Sequence, residues 1–303
     1  MATPTQTSDV LNRYLFDDLH VRGELVQLNE SYQQIIAKHN YPKGVQVLLG
    51  ELLAATCLLT ATLKFEGEIT VQLQGDGPIS YMSINGNNRQ EMRGIARLRE
   101  TSEVLTQLTG LQNLIGKGTM VITIRPNEGE PYQGVVALEE ETLADCLAHY
   151  FEMSEQIPTK IWLFGSNNDS IEQKTIGGAL LQLLPDSGDK EQQQADFEHL
   201  CQLTETLKAE EVITLPAETL LYRLYNQEKV RIFDPQAVAY VCGCSEDKCL
   251  TAIAQIAPVE LNNILAEKGS VDMTCDYCLT TYCFNKNQLA IYLCDNDSKA
   301  KLN

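Results

Sequence analysis

The sequence predicts an α+β protein in three parts. These are an N-terminal domain with a mixed or antiparallel sheet and helices (residues 1–185), a helical linker (186–234) and a small cysteine-rich C-terminal domain (235–303). Three observations carry that division. Short segments of alternating apolar and polar residues follow one another with turn residues between them, as half-buried strands do. The composition changes at Pro185, and most of the ten cysteines lie beyond residue 240. At 303 residues the chain can bury a sizeable core in at least one of these parts.

Residues 45–63 carry apolar side chains at helical spacing with Ala-rich packing, predicting a helix. Gln46, Glu51 and several threonines make the stretch too polar to be expected in a bilayer. A strand follows, with Phe65, Ile69, Val71 and Leu73 alternating against Thr70, Gln72 and Gln74, and Gly75-Asp76-Gly77-Pro78 ends it in a turn. Further strands are expected at 80–85, 94–99, 119–125 and 134–139, with Asn85-Gly86-Asn87-Asn88 as tight-turn chemistry. A helix over 142–155 precedes strands at 160–164 and 179–184. Most strands are joined by turns rather than helices, so the pairing should be largely antiparallel.

The run Asp186-Ser187-Gly188-Asp189-Lys190-Glu191 and the three glutamines after it mark a boundary. Residues 196–226 are helical in pattern, with Phe197, Leu200, Cys201, Leu203, Leu207, Leu220, Leu221, Leu224 and Tyr225 forming a stripe, and Pro216 with Glu218 suits a second helix start. Eleven acids against five bases over 186–234 leave two readings: a charged linker whose stripe packs on something, or an ordinary helical part of the core.

A net charge of −18 argues against a nucleic-acid partner, because phosphate contacts need Lys and Arg. It also helps keep in solution a protein that exposes apolar surface. The first twenty residues lack the basic and apolar regions of a secretory signal. With ten cysteines, that implies a reducing compartment, with the cytoplasm expected, where clustered thiols act as metal ligands or redox sensors.

Those thiols carry the chemistry. Cys242-Gly-Cys244 and Cys275-Asp-Tyr-Cys278 form two close pairs about thirty residues apart, able to give one zinc ion four tetrahedral ligands. All four histidines lie upstream, so an all-thiolate site is favoured, its charge partly offset by Lys248, Lys268 and Lys286. A seventy-residue unit rarely stabilises itself by its core alone, and a structural metal worth roughly 10–16 kcal/mol makes up the deficit. A disulfide across Cys-x-Cys closes a strained ring, and strained disulfides are labile and regulatory. Zinc thiolates are the form oxidants attack, so oxidation would expel the metal and remove the support of the domain. Cys249 and Cys283 are either spare ligands or, as expected here, small apolar residues packing beside Leu250 and Phe284. Cys57, Cys146 and Cys201 read as core thiols, while Cys294 has no assigned role.

The four-cysteine pattern resembles the thirty-three-kilodalton heat-shock family of redox-regulated holdase chaperones. So do Phe233-Asp234-Pro235-Gln236, Ile264-Leu265-Ala266-Glu267, Gly75-Asp76-Gly77-Pro78, Ile84-Asn85-Gly86-Asn87-Asn88 and Tyr132-Gln133-Gly134-Val135-Val136, which spread the resemblance over nearly the whole chain. The resemblance implies a stress-response chaperone and not an enzyme: a monomer, inactive when reduced, with one Zn2+ on Cys242, Cys244, Cys275 and Cys278. Hypochlorite, or peroxide with heat, would convert Cys242–Cys244 and Cys275–Cys278 to disulfides and release the zinc. The C-terminal domain and linker would unfold, and the exposed surface would bind unfolding clients without ATP. The active form would dimerise and later pass clients to an ATP-driven foldase. The chain has no phosphate loop, which agrees with ATP independence.

Two other readings compete. A nucleic-acid-binding zinc ribbon is disfavoured by five bases against eight acids over 235–303. A thiol-disulfide oxidoreductase using Cys275 and Cys278 would place a Trp beside them, and the one Trp, Trp162, is far upstream. The acidic runs Glu139-Glu140-Glu141 and Glu210-Glu211 read as solvated faces, and Arg89, Arg93, Arg97 and Arg99 as an exposed strand face.

Overall fold

The computed structural model describes residues 9–62, 66–99, 104–165, 175–185 and 188–293. Phe65, Cys294 and residues 186–187 of the expected boundary lie outside the described residues. The chain forms two compact units, one ending at Val241 and one beginning at Cys242.

In chain order the first unit contains β1 (Val10–Phe16), β2 (Val21–Leu28), α1 (Glu30–Ile36), α2 (Lys43–Thr62), β3 (Gly67–Gly75), β4 (Ile79–Asn87), β5 (Glu91–Leu98) and α3 (Leu111–Ile115). It continues with β6 (Gly118–Pro126), β7 (Tyr132–Ala137), α4 (Leu143–Tyr150), β8 (Thr159–Gly165), β9 (Ile176–Leu183), α5 (Lys190–Glu205), α6 (Ala209–Thr214) and α7 (Ala217–Tyr225). Three short strands close it: β10 (Val230–Ile232), β11 (Gln236–Ala237) and β12 (Ala239–Tyr240). One sheet has the order β10-β1-β2-β9-β8, with β11 also on β1; the other runs β12-β5-β4-β3-β6-β7. Every strand pair is antiparallel except β12 with β5, so the expected antiparallel character holds.

Helix α2 is the centre of the larger core. Its leucines pack with Leu11, Val26 and Leu180 of the first sheet and with Ile69, Val71 and Ile84 of the second. Each fully buried Leu contributes about 1.5–3 kcal/mol. Its polar residues are accommodated within the helix itself. The hydroxyls of Thr56, Thr60 and Thr62 donate to the carbonyls of Leu52, Thr56 and Leu58 at 2.7, 2.6 and 2.8 Å. Among the described residues α2 is the one unbent helix long and apolar enough to cross a membrane, and most of it is buried inside the protein. The helix expected over 142–155 is α4, capped by Thr142, continued by one wider turn over Phe151–Glu155.

The first sheet is buried on both faces. On β2, Val26 and Leu28 point to α2, while Val21 and Leu25 point the other way. That second face is covered by α5, α6 and α7: Phe197, Leu200, Val212, Leu220, Leu221 and Tyr225 pack onto Tyr14, Phe16, Leu25 and Leu181. The Phe16 and Tyr225 rings meet edge to face at 4.9 Å. The stripe expected over 196–226 thus has its partner. Buried Gln27 holds the roof by a polar contact, its Nε2 donating to the carbonyls of Val212 and Leu215 at 2.5 and 2.9 Å. Residues 235–241, which the sequence places with the C-terminal domain, instead extend the two sheets of the first unit.

Gln27→Leu keeps the volume but leaves two buried carbonyls unpaired, costing about 1–3 kcal/mol each. The expected result is faster amide exchange in α6 and α7 with the second sheet unchanged.

Glu24, 2% exposed and opposite Arg13 in the β1–β2 register, has a carboxyl pushed up to about 8 by burial, against the pull of Arg22 and Arg13. Its proton is kept in the folded chain but lost from the unfolded chain above about pH 4.5, so stability falls as pH rises from there toward 8. Glu24→Gln should flatten that decline in denaturant titrations run between pH 5 and 8.

Candidate metal centre

The second unit is small. It consists of α8 (Glu246–Ile253), α9 (Pro258–Lys268) and the hairpin of β13 (Ser270–Thr274) and β14 (Thr281–Asn285). Its buried core is six residues: Ile253, Leu261, Leu265, Val271, Phe284 and Leu289. One thiol pair sits where the chain enters this unit and the other at its hairpin turn.

Cys242 and Cys244 enter directly from β12, and Val241 N–H still donates to the Met92 carbonyl at 2.9 Å. Ser245 then caps α8, accepting from Lys248 N–H at 3.3 Å. The Lys248 ammonium donates to the Gly243 carbonyl, between the two thiols of the first pair, at 2.6 Å. Cys275 and Cys278 occupy the turn between β13 and β14. The turn closes by Leu279 N–H to the Cys275 carbonyl at 2.8 Å and Cys275 N–H to the Thr280 carbonyl at 2.9 Å. Leu279 reaches it with φ of 59°, a left-handed conformation that costs a non-glycine residue about 1–2 kcal/mol.

All four sulfurs lie within 4.8 Å of one another, and they form the one such donor group among the described residues. Cys242 Sγ is 3.6 Å from Cys275 Sγ, and Cys244 Sγ is 3.5 Å from Cys278 Sγ. Four thiolates around a tetrahedral ion with metal–sulfur bonds of about 2.3 Å stand roughly 3.8 Å apart, so the donor set fits a single metal ion. The described cysteines are free thiols. Burial and contact with the other thiols push Cys242 up to about 12. At Cys278 burial is outweighed by hydrogen bonds with Thr280, Cys244 and Cys242, which bring the thiol down to about 6.

The sequence pattern misses Tyr282, whose hydroxyl lies 3.3 Å from Cys244 Sγ. An aromatic on a short hairpin carries no ligand signal of its own; only the fold of β14 back toward α8 brings it there. Cys249 is half-buried and packs on the six-residue core, as expected. Cys283 does not: it is exposed and opposite Asp272, because alternation along β14 gives the inward position to Phe284. Cys57 and Cys146 are buried as expected, and Cys201 is half-buried on α5. Of the three lysines expected to offset the thiolates, Lys248 is the one with a hydrogen bond inside a thiol pair, to the Gly243 carbonyl.

Fold and site together define a protein with a large two-sheet domain and a small domain bearing four clustered thiols that can hold a metal ion. The Hsp33 protein family model matches residues 9–285. The chain is 66% identical to the 33 kDa chaperonin of Colwellia psychrerythraea over 289 residues, covering 94% of this chain and 97% of that protein. It is 52% identical to the 33 kDa chaperonin of Vibrio cholerae over 283 residues, covering 93% and 94%. The solved 33 kDa chaperonin of Thermotoga maritima shares the fold with a TM-score of 0.79 at 23% identity, covering 97% of this chain and 99% of that one. The chain belongs to the Hsp33 family and is a chaperone, acting on unfolded client proteins.

Tyr282→Phe removes a hydroxyl that orients a ligand sulfur. Outer partners of this kind are worth about 10–100-fold in metal affinity, and competition with a chromogenic chelator should show a loss in that range while the hairpin stays folded.

Proposed function

We propose that the chain is a redox-regulated, ATP-independent holdase of the cytoplasm, inactive when reduced and switched on by disulfide formation. The observation that carries this is the four-thiol cluster on a unit whose buried core is only six residues. The metal is zinc, one ion per chain, held by Cys242, Cys244, Cys275 and Cys278; it supplies four sulfur bonds to a core too small to hold itself.

Activation runs on this chain's own groups. The Cys242 and Cys244 thiolates give two electrons to one hypochlorite, forming one disulfide and releasing chloride and hydroxide. Cys275 and Cys278 do the same with a second. With no thiolates left to bind metal, the small unit loses its support. β12 runs into Cys242 without a break, so unfolding there pulls on a strand held by few hydrogen bonds. Residues 186–234 act as the linker that then detaches, baring the face around Tyr14, Phe16 and Leu25. That apolar face holds clients, the active form pairs as a dimer, and clients pass to an ATP-driven foldase on reduction. Nothing in this sequence of events turns over a substrate, consistent with a chaperone rather than an enzyme.

The test is aggregation of a heat-denatured protein in the presence of the chain, before and after hypochlorite, with zinc release read in parallel. Reduced protein is expected to leave aggregation unchanged and oxidised protein to suppress it as zinc appears. Equal suppression in both states overturns the switch.

A further inference from the structure

We infer that the free edge of β7 is a second client contact, one that adds an extended client segment to the sheet and stands open whatever the state of the thiols. It deepens the holdase reading and rests on the chain having unfolded polypeptides as clients. β7 ends the order of the second sheet, paired on one side only with β6. The Leu138 N–H donates to the Gly118 carbonyl at 3.0 Å, so 118 and 138 are a hydrogen-bonded pair. Counting along the register, Val136, Gly134 and Tyr132 bond to β6, and the N–H and C=O groups of Gln133, Val135 and Ala137 point away from the sheet. These three residues are exposed, Val135 at 63%. Among the described residues no main-chain partner meets their outward groups.

Edges of this kind are usually blunted by a lysine, a proline, a bulge or a covering loop. β7 has no lysine or proline, and its register with β6 is unbroken. At its start the Tyr132 hydroxyl meets that of Tyr150 on α4 at 2.7 Å. The other sheet ends of the first unit differ. On β8 the residues with outward backbone groups, Thr159, Ile161, Leu163 and Gly165, are buried or half-buried, and β10 and β12 are only three and two residues long. β7 is therefore the open template.

The occupant is set by charge. Exposed Glu128 and Glu130 precede β7, and exposed Glu139, Glu140 and Glu141 follow it. A segment laid on this edge meets acids at both ends and Val135 at the middle. That suits an extended stretch with alternate apolar residues and basic ends, as an unfolding protein offers. The same edge of a second copy would bring a second set of these acids against the first, so pairing of two copies through β7 is disfavoured. Strand addition gives affinity through main-chain bonds and so tolerates many sequences. Alone it binds weakly, but tethered to a client already held on the apolar face it acts at high effective concentration.

The test uses the reduced full-length chain and a peptide of alternating valine and threonine with a lysine pair at each end. Amide exchange should slow at Gln133, Val135 and Ala137, and a twin peptide N-methylated at alternate amides should not slow it. Val135→Pro, which removes an outward N–H and no bond to β6, should weaken the peptide about tenfold, the worth of one net hydrogen bond. Replacing Glu139, Glu140 and Glu141 by Gln should reduce the salt dependence of binding. Protection elsewhere, equal binding of both peptides, or self-association through the same amides without a peptide effect would overturn the proposal. Metal release by hypochlorite is unchanged in Val135→Pro, so loss of the edge contact is distinguishable from failure of the thiol switch.

Discussion

A sheet that is apolar on both faces must be covered on both, and this one constraint shapes the larger unit. β2 and β9 are buried along almost their whole length, and strands of this kind are stable only when both sides are dry. One side is sealed by α2, which also serves the second sheet and cannot leave without dismantling the fold. The other is sealed by α5–α7, which serve nothing else. The two covers therefore differ in how separable they are. Detaching the second exposes one sheet face while the core around α2 stays closed. A chaperone that stores an apolar surface needs this asymmetry, because the surface must be released without loss of the scaffold that presents it.

The same division appears in the chemistry of the covers. α2 has its hydroxyls satisfied within the helix and its leucines buried. The α5–α7 layer is acidic, and much of its own surface faces water. It is held to the sheet by a limited set of apolar contacts and the two bonds from Gln27, while the Thr204–Tyr225 hydroxyl pair at 2.6 Å ties α5 to α7 within the layer. Segments with fewer buried apolar contacts open first.

Much of this was legible in the sequence where one period dominated. The strands from β4 to β9 and helix α2 follow alternation and helical spacing, and the thiol spacing names all four candidate ligands. Legibility failed where long-range context decides. β1 and β2 carry Arg13, Arg22, Glu24 and Gln27 inside apolar strands, a pattern that reads as neither helix nor clean alternation until the partners from distant segments are present. Residues 235–241 look like the approach to a cysteine domain because Cys242 and Cys244 come directly after them, but their backbone groups pair with β1 and β5, which no local pattern encodes. The stripe over 196–226 announced that it packs on something, and only the fold supplied the sheet.

Control in this molecule depends on which surfaces need a covering and which do not. An apolar face is attractive to any other apolar face, so leaving it bare costs solubility and invites association. It is useful only behind a lock, and in the proposed switch the six-residue core with its four clustered thiols is that lock. A strand edge flanked by acids is a different object. Its attraction is directional, its affinity small, and its flanking acids oppose the same edge of another copy. It can remain open at little risk, so no cover evolved over β7 among the described elements, while the face of the first sheet is fully roofed. The locked surface provides strength and the open edge provides reach.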